Sequence, residues 1–165
     1  MAAYITGMHS ADIFWKRTYG LIMIPVMGII LYIVDKKMPS KTDYEHMTFK
    51  QTFIIGFSQA LAFIPGVSRS GVTMTIGRAM GVDRESTAKY SFLLSTPIVF
   101  GATLYKFKDF VLNFPFFVGV LASFIVGIIV IKFLLEYLKK GSFKVFAIYR
   151  VILGLFIIGL YIFRI

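Results

Sequence analysis

Hydrophobic residues fall along this chain in runs broken by short polar knots, and the run lengths predict its elements. The run over 18–34 is long enough for a membrane-crossing helix, with Pro25 placed to kink it. Residues 1–15 are weakly patterned, with His9, Asp12 and Trp15 near an expected interface and Lys16 and Arg17 just after. No cleaved signal peptide is expected, because the first ten residues lack a basic stretch followed by an apolar core. Residues 35–50 are the most polar segment and read as an extramembrane loop, with Thr48 a candidate N-cap.

Apolar character returns over 51–64, a run too short to span a bilayer, and stops at Pro65-Gly66. A polar knot follows, Ser68-Arg69-Ser70-Gly71, then a second short apolar piece over 72–82, interrupted by Arg78. Two half-length helices around a Gly/Pro break predict a re-entrant hairpin over 51–82. Such backbone persists at membrane depth only where it is buried in protein or lines a watery cavity. Three further spans are predicted at 88–105, 110–131 and 146–163. The first follows Thr87 and carries Ser91, Ser95 and Pro97. The second carries Gly119, Ser123 and Gly127 at four-residue spacing, a stripe that lets helices approach closely. The expected fold is an all-α polytopic membrane protein of one domain, with four transmembrane helices and one re-entrant helical hairpin.

Composition agrees. Of 165 residues, 58% are hydrophobic and 16% charged, with mean hydropathy +0.79. A soluble domain carries about 25% charge, so polar residues here are too few to cover a water-facing surface. The net charge of +10 does not indicate nucleic acid, because the basic residues sit between hydrophobic runs, at Lys36-Lys37-Lys41, Lys106-Lys108 and Lys139-Lys140-Lys144. If the hairpin enters and leaves on one side, that side's loops and flanks carry eleven Lys/Arg against five opposite. The positive-inside bias then puts the hairpin mouth in the cytoplasm and points its tip, 66–71, outward. Cysteine is absent, which excludes disulfides.

The stretch from Pro65 to Thr73 has the parts of an oxyanion site. Glycines permit tight turning, and the helix that follows offers unpaired N–H groups and a positive dipole end. Ser68, Ser70 and Thr73 add hydroxyls, and Arg69 adds a planar fork suited to two phosphate oxygens. An unpaired Arg at mid-bilayer costs at least about 2.5–3.5 kcal/mol, so an anion must compensate it. The plainer alternative is that Arg69 pairs internally and the serines only cap the second half-helix. Asp83 and Glu85 are available for such a pair but sit at the hairpin's exit. Among lesser candidates, His9 and His46 lack partner ligands in the sequence, and Arg78 is expected to pair or snorkel. Lys132 and Glu136 form an i,i+4 pair, and Arg150 beside Tyr149 reads first as a helix-end anchor.

The run 59–73, Gln-Ala-Leu-Ala-Phe-Ile-Pro-Gly-Val-Ser-Arg-Ser-Gly-Val-Thr, closely resembles the second signature of the undecaprenyl-diphosphatase family, the bacitracin-resistance phosphatases. The segments 47–51, 90–97 and 146–150 are similar to other parts of that family. The resemblance implies removal of a phosphate from a C55 polyprenyl diphosphate, which recycles a lipid carrier for cell-wall synthesis in the bacterial plasma membrane. It implies a fold of inverted repeats, each opening with a re-entrant hairpin. It places Gly66, Ser68, Arg69, Ser70 and Thr73 on the diphosphate, with Gln59 near the site, and makes Arg69 and Ser68 the catalytic candidates.

The family's first signature, a Glu-x-x-x-Glu pair followed by Pro, Ser-Ser and His, does not occur here. The chain therefore corresponds to the last helix of the first repeat plus the whole second repeat: a fragment, a split gene product or a degenerate copy. A divalent cation, Mg or Ca, would find its ligands outside this chain. The partners implied are the lipid, the membrane, and either the missing first repeat or a second copy in a homodimer. Alone, the chain is expected to bind diphosphate weakly and hydrolyse it negligibly. A non-catalytic subunit that binds or transports a lipid phosphate is the alternative from another class.

Overall fold

In the computed structural model, which describes residues 2–110 and 113–163, every regular element is a helix. These are α1 (Ala2–Lys37), α2 (Phe49–Ser58), α3 (Arg69–Ala79), α4 (Arg84–Tyr105), α5 (Phe114–Lys140) and α6 (Lys144–Phe163). Short 3-10 turns, Gln59–Phe63 and Phe107–Asp109, extend α2 and link α4 to α5. The side chains of His9, Asp12, Trp15, Lys16 and Arg17 lie outside those described, as does Arg164.

Boundaries differ from the sequence expectation for identifiable reasons. No proline interrupts residues 2–17, so α1 runs on to 36 residues, about 54 Å long, despite its mixed polarity. It ends just before Pro39, which disfavours helical backbone at the residue preceding it. Helix α4 starts at Arg84, because Asp83 caps it by accepting from the Ser86 N–H at 2.9 Å. Thr87 is consequently buried inside the helix rather than leading it. Helix α5 starts at Phe114, capped by Asn113, which accepts from Phe116 N–H at 3.0 Å. It continues through 132–140, where lysines and a glutamate at the end of an apolar helix can snorkel. Glu136 there pairs with Lys139 at 3.0 Å, not with Lys132.

Helices α1 and α6 form the largest interface, and they run antiparallel. Pro25 lies against Gly154, Gly28 against Ala147 and Arg150, and Asp35 against Phe143, so one number rises as the other falls. Helix α3 runs alongside α1 in the same direction, from the Gly66–Gly20 contact at one end to the Arg78–Asp35 pair at the other. Along α1 those contacts are fifteen residues apart, about 22 Å.

The far end of this assembly is locked by a buried ion cluster. Asp35 accepts from Arg78 Nε at 2.9 Å, from Arg84 Nε at 2.8 Å and from the Phe143 N–H at 3.2 Å. Arg78, only 1% exposed, also donates to Ser40 Oγ and to the carbonyls of Asp35, Met38 and Val82. Every N–H of the Arg78 guanidinium is thus bonded, and the cluster joins α1, α3, α4 and the turn before α6 at the hairpin's mouth. Backbone bonds from Lys41 and Thr42 to the Gly81 carbonyl, and from Asp83 to the Thr42 carbonyl, close the loop over it.

Two helical segments, Phe114–Lys140 and Lys144–Tyr161, are long and apolar enough to cross a membrane. Of the described α5 side chains only Leu138 is buried, while its valines, isoleucines and all its phenylalanines but Phe116 are exposed. An apolar surface of that extent is incompatible with water and suits lipid. The chain folds as a helical membrane protein.

Candidate functional site

Between α2 and α3 the chain turns within five residues. The Ile64 N–H bonds the Leu61 carbonyl and the Val67 N–H bonds the Ile64 carbonyl, each at 3.1 Å. Gly66 adopts φ +82°, and a Cβ on it would lie 2.0 Å from the Gly20 carbonyl oxygen. Only glycine satisfies both conditions, so the Pro-Gly pair presses the hairpin tip against α1.

Ser68 then caps α3. Its Oγ accepts from the Gly71 N–H at 3.3 Å and lies 3.2 Å from Ser70 Oγ. The N–H groups of Arg69 and Ser70, in the first turn, find no acceptor among the described residues. These free donors and the positive helix end make the tip an anion cradle.

The structure brings to this cradle a residue that sequence reasoning treated as an anchor. Arg150 reaches over from α6, and its Nη1 stands 2.6 Å from where a Gly71 Cβ would be. Among the described residues no carboxylate pairs with it. The signal was present, since 146–150 is one of the family-like segments. What the sequence lacked was any link to Gly71, 79 residues away. Arg69 leaves α3 about 200° around the helix from Gly71, and it likewise has no ion-pair partner among the described residues.

A cleft of about 650 Å³ opens at this tip, walled by Gly66, Val67, Ser68, Ser70, Gly71 and Arg150. Arg69 is not on its wall. Thr73 is likewise off the cleft wall. It is 1% exposed, its Oγ1 lies 2.7 Å from Ser91 Oγ, and it donates back to the Arg69 and Ser70 carbonyls. Its hydroxyl therefore pins α3 to α4 and does not reach the cleft. Gln59 opens the 3-10 turn after α2, off the cleft wall, with Nε2 3.5 Å from the Gly56 carbonyl and Oε1 buried without a partner among the described residues.

No group of three or more His, Asp or Glu side chains able to hold a divalent cation occurs among the described residues. Asp35 and Asp83 are engaged at the mouth, the end of α3 opposite the cradle. His46 lies in an exposed loop paired with Asp43, and this hydrogen bond holds the Asp43 carboxyl below its ordinary range.

These features define an all-helical membrane protein built around a broken-helix hairpin with a capped, cationic tip. The chain belongs to the family described as bacitracin resistance protein BacA, whose sequence profile matches residues 2–156. It is 51% identical over 142 residues to an undecaprenyl-diphosphatase of Pelotomaculum thermopropionicum, covering 84% of this chain and 54% of that one. It is 43% identical over 141 residues to an undecaprenyl-diphosphatase of Moorella thermoacetica, again covering 84% and 54%. A third, from Caldicellulosiruptor bescii, is 42% identical over 157 residues, 91% of this chain and 59% of the relative. The chain spans about half the length of the curated relatives it matches.

Proposed function

We propose that this chain supplies the phosphate-binding half of an undecaprenyl-diphosphate phosphatase of the plasma membrane. The observation that carries the reading is the convergence at one tip of free α3 N–H groups, the Ser68 and Ser70 hydroxyls and the Arg150 guanidinium, which has no counter-ion among the described residues. In hydrolysis of the phosphoanhydride bond, charge develops on the oxygens of the transferred and leaving phosphates. Donors fixed in advance at those positions stabilise that charge without reorganising. Arg150, the Ser68 and Ser70 hydroxyls and the free α3 N–H groups would hold the diphosphate at the cleft end, and Arg69, on the first turn of α3, would add positive charge beside it. Ser68, already a cap, would orient the tip, and its hydroxyl is the nucleophile candidate this chain offers.

No carboxylate or histidine of the chain's described residues lies at the tip, so the acid–base groups and any Mg or Ca would come from a first repeat. The membrane arrangement that fits is four spans, α1, α4, α5 and α6, with α2 and α3 as a re-entrant hairpin whose mouth is cytoplasmic. A tip about 22 Å along α1 from that mouth would lie beyond the midplane of a core about 30 Å thick. A purely binding subunit is the competing reading, favoured by the same lack of a base.

The test is binding and turnover of undecaprenyl diphosphate by the purified chain in micelles, with and without a co-expressed first repeat. Arg150→Ala and Arg69→Ala should each weaken binding at least tenfold, since a charge-assisted hydrogen bond contributes about 1.5–3 kcal/mol. Arg69→Lys should recover little, because an ammonium does not reproduce the fork. Hydrolysis should appear only with the first repeat. Normal binding by both alanine variants would remove the arginines from the site, and binding without hydrolysis in the reconstituted pair would favour the binding subunit.

A further inference from the structure

The seam between α1 and α6 has a second face, turned away from the hairpin. On α1, Ile29 lies two residues, and so about 160° round the helix, from Leu31, which lines the cleft at the tip. On α6, Ile148 lies at the same angle from Arg150. Along this reverse face runs a groove of about 320 Å³, lined by Ile29, Tyr32, Lys144, Ala147, Ile148 and Val151. Both of its walls belong to this chain. The helices meet closely beneath it, since a Cβ on Gly28 would lie 3.3 Å from the Ala147 carbonyl oxygen.

Its two ends differ in chemistry. Toward the hairpin mouth stand Lys144 and, one turn beyond Tyr32 on α1, Lys36. Both lysines are exposed, and neither has an ion-pair partner among the described residues. Away from the mouth the apolar walls continue through the exposed side chains of Val26 and Ile22 on α1 and of Ile152 and Leu155 on α6. From Lys36 to Val26 is ten residues, about 15 Å, which is half the thickness of a hydrocarbon core of about 30 Å.

We propose that this groove binds an anionic phospholipid of the leaflet at the hairpin mouth, its phosphate between Lys36 and Lys144 and one acyl chain along the seam. The site is separate from the hairpin tip and does not depend on what the tip binds. Charge complementarity selects the occupant, because cationic heads above an apolar seam one leaflet deep match a lipid with a net negative headgroup. A free phosphate would leave the apolar length bare, and a zwitterionic lipid would set its own cation against the lysines. Each lysine near an anionic headgroup favours it over a neutral one by about fivefold, and the pair by about twenty-fivefold. A lipid that touches both walls also holds α1 against α6, so its binding should stabilise the folded chain.

The experiment uses the full chain in neutral micelles, with phosphatidylglycerol or phosphatidylcholine of identical acyl chains added. A photoreactive benzoylphenylalanine is placed at Ile148 in the groove, or at Phe133 on the exposed face of α5. At Ile148, crosslinking to phosphatidylglycerol should exceed that to phosphatidylcholine at least fivefold, and at Phe133 the two should agree within twofold. The double variant Lys36→Gln/Lys144→Gln should bring the Ile148 ratio within twofold of one. Lys37→Gln/Lys140→Gln removes as much charge from the same end of the molecule, off the groove, and should leave the ratio within twofold of wild type. Phosphatidylglycerol should also raise the thermal unfolding midpoint of the wild-type chain more than that of Lys36→Gln/Lys144→Gln. Equal crosslinking of the two lipids at Ile148, or equal loss in the two double variants, would overturn the site in favour of diffuse attraction. Crosslinking at Ile148 to a co-expressed first repeat in place of lipid would overturn it as well, by showing the groove to be a protein seat. All four lysines are exposed, so these substitutions leave the buried packing of the fold unchanged.

Discussion

Removing Asp35 tests whether the ion cluster at the hairpin mouth holds α1, α3, α4 and the α5–α6 turn together. Arg78 donates five hydrogen bonds, from 2.6 to 3.4 Å, and two of them go to Asp35. In Asp35→Ala the guanidinium stays buried with neutral acceptors and no counter-charge, and the Phe143 N–H loses its acceptor. Breaking a buried pair from one side costs about 3–5 kcal/mol. Arg84 also pairs with Asp35 but is 32% exposed, so it can turn to water, and Arg84→Ala should cost about 0–1 kcal/mol. The double variant Asp35→Leu/Arg78→Met removes both charges and should cost less than the sum of its singles, with a coupling of about 1–3 kcal/mol. Unfolding of each purified variant in micelles, followed by far-UV circular dichroism, reads these differences. An Asp35→Ala cost equal to that of Arg84→Ala, or strict additivity in the double variant, would refute the cluster as an integrating lock.

Gly66→Ala should destabilise by about 1–2 kcal/mol from its left-handed backbone alone, and further because its Cβ meets the Gly20 carbonyl; thermal unfolding of the variant checks this. Thr73→Val separates a helix-pinning hydroxyl from a ligand-binding one. It should cost about 1 kcal/mol through the lost Ser91 bond and leave inorganic diphosphate affinity within twofold, whereas a tenfold loss would return Thr73 to the ligand. Orientation can be read with an impermeant thiol reagent, because the chain has no native cysteine. Glu45→Cys should be protected in intact cells and Lys108→Cys labelled, and the opposite pattern would invert the topology.

Much of this protein is set by local pattern. A short apolar run, a Pro-Gly stop and a Ser-Arg-Ser-Gly knot are enough to dictate a broken helix with a capped second arm, because glycine's left-handed backbone and serine's capping are decided within a few residues. The membrane as solvent follows equally from the shortage of charge. Helix ends were less legible, since Asp83, Asn113 and the unbroken stretch 2–17 set them through hydrogen bonds or the lack of a stop, which periodicity does not report. Which side chains meet at the tip was decided only by tertiary packing. Arg150 and Thr73 show this most clearly. Antiparallel packing of α6 on α1 brings Arg150 onto Gly71, and the α3–α4 contact turns the Thr73 hydroxyl toward Ser91. The buried Arg78–Asp35 pair, 43 residues apart in the chain, belongs to the same category. A sequence records that each group is costly to bury alone, but partners far apart in the chain are chosen by how the helices cross, and that is a property of the whole fold.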